Sequence, residues 1–539
     1  MPVPAKLPLG STSFEDLRRA GKIYVDKTSL IFDLACLSDP LFLSRPRRFG
    51  KSLLLSTFES LFTHGTEYFK GLEIESRWEE VERGRTYKAI HLDFSSLNYQ
   101  NVAELDAELC LCLKESATLN HLELNFDLTG YKAGGILKLL VKTHPSELIL
   151  LIDEYDYPLT HALEDKTLFE EYRKYLQGFF GAVKSICGSL RFFFITGVGR
   201  FAKTSIFSQL NNLNDLTLNG EYATLLGYTD DEVHRYFGEY VKDAALELKL
   251  TESQLYAELK AHYDGYRMTV ESDKTVYAPW SVLNFLRYAK RGFLNYWYES
   301  GGAFPTLVIQ YLKTIQSKPW EGLQKVRITK DQLSDFCDYF EVPPAALLYQ
   351  TGYLTVRTEP NGLGGERLFL APPNLEVKSA LTKLFLIKNS TPAPGEHALD
   401  EFCSSLYNNL KQQNHELLIK TFDAILNTCG YDNREAFASE AYVRDLIYLI
   451  LTVTGLSSSR ELYSAKGRAD LAVELPERRY IIEFKLARGE GEEEKLLQEA
   501  VNQLTDKRYG EILPEKPTVK LAVVVSAAKK SVARWQLTK

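Results

Sequence analysis

The sequence lacks most of the features that commit a chain to a membrane, to the cell exterior or to a zinc cage. No segment approaches the ~20 uninterrupted apolar residues that a membrane-spanning helix requires, so no membrane partner is expected. The opening MPVPAKLPLG has neither the charged start nor the apolar run of a secretory signal, and a cytoplasmic protein is expected. Seven cysteines are scattered at 36, 110, 112, 187, 337, 403 and 429 without a CxxC pair. They read as small buried apolar side chains in a reducing compartment, with no zinc site. Net positive charge is missing as well. At −7, the chain as a whole does not attract nucleic acid, so any such contact must come from a local basic strip. Internal repeats and low-complexity tracts are also absent.

What remains is the composition of a folded globular protein, 45% hydrophobic, 25% charged and 12% aromatic. A single core stops growing well below 539 residues, so two or three domains are expected. Residues 1–215 alternate strand-length apolar runs with helical patterns, the order of a parallel sheet with crossover helices. The strands fall at Leu41–Leu43, Ala89–Phe94, Leu148–Ile152 and Phe192–Ile195. Continuous apolarity in the last two suits strands covered on both faces. Residues 216–395 read as a helical connector whose aromatic clusters, His262–Arg267 and Tyr296–Tyr298, suggest no particular chemistry. The stretch Asn389–Gly395 carries two prolines and a glycine and reads as a linker into a last domain, 396–539.

After the first strand comes Ser44-Arg45-Pro46-Arg47-Arg48-Phe49-Gly50-Lys51-Ser52, then a helical run. Strand, loop and helix in this order form a phosphate cradle. Loop N–H groups and the helix start hold phosphate oxygens, Lys51 reaches the terminal phosphates, and the Ser52 hydroxyl ligates magnesium. Arg45 stands where the pattern GxxxxGK[ST] has glycine, and Pro46 has no N–H to give. The run Leu148–Ile152 ends in Asp153-Glu154, which sets one carboxylate near magnesium and the next near an attacking water. At the end of the fourth strand, Thr196 is placed to sense the terminal phosphate, with Arg200 or Lys203 to neutralise it. Arg45, Arg47, Arg48, Gly50, Lys51, Ser52, Asp153 and Thr196 are therefore the expected ATP and Mg²⁺ residues, with Glu154 catalytic.

Near the C-terminus, Gly467–Leu475 and Tyr480–Leu486 each alternate with period two around Pro476–Arg479, which reads as a β-hairpin. Alternation places Glu483 and Lys485 on one face, with Asp470 joining them across the hairpin. Two carboxylates hold Mg²⁺ and a lysine orients or deprotonates water, the arrangement of a metal-dependent phosphodiesterase. ExK also occurs at Glu247–Lys249, Glu258–Lys260, Glu376–Lys378 and Glu493–Lys495; only Glu483–Lys485 sits in an apolar strand that follows a strand carrying an aspartate. Glu440, on a helix 438–451, is expected to complete the metal shell, and Gln503 to steady the site. Arg444, Arg460, Lys466, Arg468, Lys507 and Arg508 are candidates for the basic strip.

On these residues the chain resembles the bacterial AAA-ATPase-like proteins that carry a C-terminal PD-(D/E)XK nuclease domain. The likeness includes Phe14–Leu17, Tyr24–Thr28, Arg45–Ser52, Ile152–Asp156, Ile195–Gly199, Ser205–Ser208, Leu210–Asp215, Tyr263–Arg267 and Pro279–Val282. In the last domain it includes Glu440, Gly467–Asp470, Glu483–Lys485, Gln503 and Tyr509. The family's loop reads RPRRFGKS, so Arg45 in place of glycine is a family trait. The resemblance implies an α/β multidomain protein: a P-loop NTPase parallel sheet, a helical middle region and a C-terminal restriction-endonuclease-like α/β domain. An ATP-regulated nuclease acting on nucleic acid, DNA before RNA, is expected, with links to defence or mobile elements. The alternative is a nucleotide-switched binding module with a non-cleaving nuclease fold, and oligomeric state is left open. A DNA translocase is disfavoured by the altered loop and the lack of helicase motifs.

Overall fold

The computed structural model describes residues 6–122, 128–163, 165–200, 212–298, 300, 325–334, 344–360, 365–389, 396–429, 439–464, 467–489, 491–506 and 516–538. The chain forms two compact units: residues 1–249, 264–290 and 327–371 in one, and residues 250–263, 291–326 and 372–539 in the other. Residues 216–395 contribute to both.

The first unit is built on five strands, β1 (Leu41–Ser44), β2 (Lys88–Asp93), β3 (Leu148–Asp153), β4 (Phe192–Gly197) and β5 (Asn214–Asp215), in the order β2-β3-β4-β1-β5. All neighbours in this sheet pair in parallel. Every residue of β3 and β4 is buried, as their unbroken apolarity predicts. One face packs Ile90, Leu92, Leu148, Leu150, Ile152, Phe193 and Ile195 against helices Val102–Leu119, Ala133–Thr143 and Lys166–Lys184. On the other face, Phe58 and Phe62 of helix Lys51–His64 stack on Phe192 and Phe194. Truncating either phenylalanine to alanine would cost about 3–5 kcal/mol. Because the strands are parallel, the loops after β1, β3 and β4 emerge side by side. Their register is close: Ser44 lies opposite Gly197, and Ile152 opposite Ile195. β4 runs two residues past its expected end, and a Cβ on its last residue, Gly197, would lie 2.5 Å from Asp156 Oδ1 and 2.6 Å from the Tyr155 ring. Only glycine lets these loops close on each other.

The connector region is not purely helical. It contains a three-stranded sheet, β6 (Val326–Arg327), β7 (Thr355–Pro360) and β8 (Glu366–Ala371), in the order β6-β8-β7, with β7 and β8 antiparallel. The expectation missed it because arginine, glutamate and proline break the alternation of β7, whose outer half is solvated.

The second unit carries β9 (Ser457–Ser464), β10 (Gly467–Glu474), β11 (Arg479–Ala487), β12 (Thr518–Ser526) and β13 (Ser531–Thr538), in the order β13-β12-β11-β10-β9. Only β11 and β12 are parallel. The expected hairpin is β10–β11, with Leu471 opposite Ile482. Helix Glu493–Asp506 covers the sheet with Leu497, Ala500 and Leu504 on Ile481, Ala522 and Val524. The even-numbered face of β11 packs elsewhere, as alternation requires: Phe484 meets the Phe422 ring, and the Tyr480 hydroxyl donates to Leu410 O. The other four ExK glutamates lie in helices, so Glu483–Lys485 is the one of the five on a strand.

Candidate functional sites

At the end of β1 the chain turns through Arg48 (φ 67°) and Gly50 (φ 99°) before entering helix Lys51–His64. Left-handed residues at this point curl successive N–H groups toward one side, which makes an anion cradle at the positive helix start. The Lys51 ammonium is buried. It donates to the loop carbonyls of Arg45 at 3.2 Å and Pro46 at 3.4 Å and pairs with Glu154 Oε1 at 3.2 Å. Ser52 Oγ donates to Asp153 Oδ2 at 2.6 Å. The hydroxyl and the carboxylate expected to flank magnesium are thus in direct contact. Burial, followed by the charge of Glu154, pushes the Asp153 carboxyl up to about 6, so a cation there would be well compensated. Glu154 itself holds a left-handed backbone, φ 49°, a costly conformation for a residue with a side chain that is met chiefly at functional turns.

Three residues expected at the nucleotide make contacts within the protein. The Arg45 guanidinium is fully buried and donates to Ser44 O, Thr217 O and Tyr222 O; its side chain braces the loop from inside, and its carbonyl meets Lys51. Burial lowers its pKa to about 10. Thr196 Oγ1 donates across the sheet to Leu43 O at 2.8 Å. Arg200 pairs with Asp215 and donates to Leu333 O, so its charge is already matched. Of the other loop arginines, Arg47 is half-buried and Arg48 lies exposed over the Trp280 ring, 4.6 Å from its centroid. Lys203 lies outside the described residues.

Sequence reasoning passed over Asp156. Its buried carboxylate accepts from Val198 N at 3.2 Å and from Gly199 N, while Tyr155 OH donates to Gly199 O. The loop after β3 therefore grips the loop after β4. Burial, then Glu154, raises the Asp156 carboxyl to about 6. The available signal was a third acid in Asp153-Glu154-Tyr155-Asp156.

In the second unit, the regular β10–β11 ladder stops at Leu471 and Ile482. Beyond it each strand offers a side chain in place of a carbonyl. Phe484 N donates to Asp470 Oδ2 at 2.9 Å, and Asp470 N donates to Glu483 Oε2 at 3.3 Å. Both carboxylates are thereby fixed at one point in the sheet. Glu483 is 1% exposed, and burial followed by the charge of Asp470 pushes its carboxyl up to about 7. Lys485 Nζ lies 3.1 Å from Glu483 Oε1 and 3.4 Å from Glu440 Oε1. Burial disfavours its charge, but Glu483 and then Glu440 outweigh that and raise its pKa. Asp470, Glu483, Lys485 and Glu440 thus converge as expected. Among the described residues, however, no three His, Cys, Asp or Glu side chains gather as a metal cage, and Glu440, expected as a metal ligand, rests on Lys485. Two carboxylates fixed side by side, one of them buried with its pKa raised, still fit a hard divalent cation.

Helix Glu440–Val453, capped by Ser439, also brings Arg444, whose Nη1 lies 3.7 Å from Asp470 Oδ1. Asp445 Oδ1 accepts from Arg444 Nε at 3.1 Å and from Arg460 Nη1 at 2.8 Å. Asp445, which the sequence reading did not single out, is the bracket for both arginines. Gln503 is half-buried on helix Glu493–Asp506, and no hydrogen bond ties it to the acidic group among the described residues. Lys466, Lys507, Arg508 and Tyr509, the side chain of Arg468, and the family-like residues 205–208 and 210–211 lie outside the described residues.

Comparison with known proteins finds a family match over each of the two regions. A profile of the predicted AAA-ATPase family matches residues 8–207, and one of the PD-(D/E)XK nuclease superfamily matches residues 438–535. The uncharacterized protein in the vnfD 5'region of Azotobacter chroococcum mcd 1 is 30% identical over 514 residues, covering 94% of this chain and 93% of its own. Distant likenesses extend to the Aeropyrum pernix ORC2 protein in its ADPNP–ADP complexes, at 14% identity, 71% and 95% coverage and a TM-score of 0.32. They extend also to the replication initiator DnaA bound to AMPPCP and single-stranded DNA, at 10%, 74% and 91%, and 0.24. With a relative matched over nearly its whole length and a domain profile over each of the two sites, the chain belongs to the predicted AAA-ATPase family and carries a PD-(D/E)XK nuclease superfamily domain at residues 438–535.

Proposed function

We propose that the chain is an ATP-binding, ATP-regulated nuclease that hydrolyses phosphodiester bonds of DNA with Mg²⁺. In this reading residues 1–215 bind the nucleotide, residues 216–395 connect, and residues 396–539 cut. The carrying observation is the meeting of Asp470, Glu483 and Lys485, with both carboxylates fixed by backbone N–H groups. Asp470 and Glu483 would hold a divalent cation, which would supply Lewis-acid polarisation of the phosphodiester. Lys485, kept protonated by two glutamates, orients the attacking water and balances charge on the phosphate. Glu440 holds Lys485 in place. In the first unit the loop N–H groups and Lys51 bind the phosphates, Ser52 and Asp153 would hold Mg²⁺, and Glu154 faces Lys51 until a phosphate replaces it. A cytoplasmic location and a role in defence or mobile-element biology complete the reading.

The test is Mg²⁺-dependent cleavage of labelled single- and double-stranded DNA by wild type, Asp470→Asn and Lys51→Ala, with and without ATP. Cleavage that disappears with Asp470→Asn and loses its ATP dependence with Lys51→Ala is the expected result. Wild type that never cuts, yet binds DNA in a nucleotide-dependent way, would replace the nuclease with a switched binding module.

A further inference from the structure

Helix Glu440–Val453 turns two charged side chains toward the acidic group of the second unit, Glu440 and Arg444, one helical turn apart and so on one face. Glu440 meets Lys485, and Arg444 meets Asp470. Of the two Asp470 oxygens, Oδ2 accepts from Phe484 N, while Oδ1 lies 3.7 Å from Arg444 Nη1. That separation allows attraction but is longer than an N–H···O hydrogen bond. Arg444 is 9% exposed, and its other end is held where Nε donates to Asp445 Oδ1 at 3.1 Å. Asp445 is buried and is fixed in turn by Arg460 Nη1 at 2.8 Å. Arg444 is therefore braced through Nε, with an Nη nitrogen directed at the carboxylate oxygen expected to receive a divalent cation.

A fixed positive charge at this place opposes the cation that Asp470 and Glu483 would hold. A group that served only as counter-ion to Asp470 would thus weaken the site it belongs to. A phosphate oxygen shared between the cation and the guanidinium offsets that cost, and the planar fork of arginine suits phosphate better than a lysine ammonium does. We propose that Arg444 is a further catalytic residue of the second unit, whose guanidinium takes a non-bridging oxygen of the scissile phosphate. Lys485, resting on Glu483 and Glu440, is left to the attacking water. This inference rests on the nuclease reading of Asp470 and Glu483 given above.

Two affinities of the full-length chain test it: Ca²⁺ binding without DNA, by titration calorimetry, and binding of fluorescein-labelled double-stranded DNA at saturating Ca²⁺. The second is read by stopped-flow anisotropy, which reports binding before any strand is cut. Arg444→Met is expected to tighten Ca²⁺ binding about tenfold by removing a repelling charge. The same variant is expected to weaken DNA binding about tenfold by removing a charged hydrogen bond to phosphate. Opposite signs in the two affinities are what simple loss of structure cannot produce. Arg444→Lys keeps the charge without the fork, so it should bind Ca²⁺ like wild type and DNA more weakly, which decides the matter if Arg444→Met unfolds. DNA binding at the wild-type level in both variants overturns the proposal and leaves Arg444 a counter-ion of Asp470. Ca²⁺ binding that survives Asp470→Asn overturns the nuclease reading and this proposal together. Ca²⁺ binding lost in Asp470→Asn, with DNA binding unmoved by either Arg444 variant, removes the role of Arg444 alone.

Discussion

The two sites solve one problem by different means. Each sets an acidic pair, one member buried, beside a lysine and raises the buried carboxyl's pKa, Asp153 to about 6 and Glu483 to about 7. In the first, the lysine hangs from two loop carbonyls and a glutamate, and the geometry comes from left-handed residues within a few positions of one another. In the second, the lysine rests on two carboxylates, and the geometry comes from strand register between residues thirteen apart. A cradle written in local backbone conformation takes its shape chiefly from the residues of its own loop. A site written in register fails when the strands slip.

That contrast can be broken most decisively in the second unit. Asp470→Asn, which keeps an acceptor for Phe484 N, is expected to lower the cleavage rate by about 10³-fold, ~4 kcal/mol of barrier, with the melting temperature nearly unchanged. In the first unit, Lys51→Ala is expected to weaken ATP binding by about 100-fold, ~2.7 kcal/mol, measured by titration calorimetry. Cleavage measured without nucleotide should not move. If it falls as far as in Asp470→Asn, the sites are not separable in the way their construction implies.

Protonation gives a subtler comparison. The folded chain holds the Glu483 proton more tightly than an unfolded chain does, with a pKa of about 7 against 4.5. The associated stability is therefore fully present below about 4.5 and lost as pH climbs to 7. Glu483→Gln should stabilise the EDTA-treated protein at pH 8 by about 1–3 kcal/mol, and the gain should vanish near pH 4.5; melting curves at the two pH values check this. A gain independent of pH would mean the glutamate's charge is not the cause. Gly197→Ala, which forces a Cβ against Asp156 and Tyr155, should cost about 1–3 kcal/mol by overpacking and weaken nucleotide binding in step. Smallest of all, Arg444→Met is expected to slow cleavage about tenfold, ~1.4 kcal/mol, at saturating DNA, with Arg444→Lys recovering part of the loss.

The same contrast explains what was legible in the sequence. Gly50-Lys51-Ser52 and Asp153-Glu154 announce themselves because each motif is contiguous and follows an apolar strand. Asp470, Glu483 and Lys485 were readable because period-two alternation predicts a shared face before any contact is known. The inward turn of Arg45 was not readable: its acceptors, Thr217 O and Tyr222 O, come from a loop more than 170 residues away. Nor were the clasp of Asp156 on Val198 and Gly199, or the bracket of Asp445 on two arginines, since both depend on distant segments meeting. The β6-β8-β7 sheet was missed for a related reason. Its strands are short and half-solvated, so their pattern is too brief to outweigh the helical text around it.

The exchange between Asp470 and Glu483 has an experimental corollary. Two main-chain N–H groups, those of Phe484 and Asp470, terminate on the very carboxylates that would receive a cation. Whatever alters the charge on those oxygens therefore alters a backbone proton's chemical shift and exchange rate. The strand pair thus carries its own pair of spectroscopic reporters, readable by nuclear magnetic resonance without a label on the nucleic acid and in a protein that has not yet cut anything.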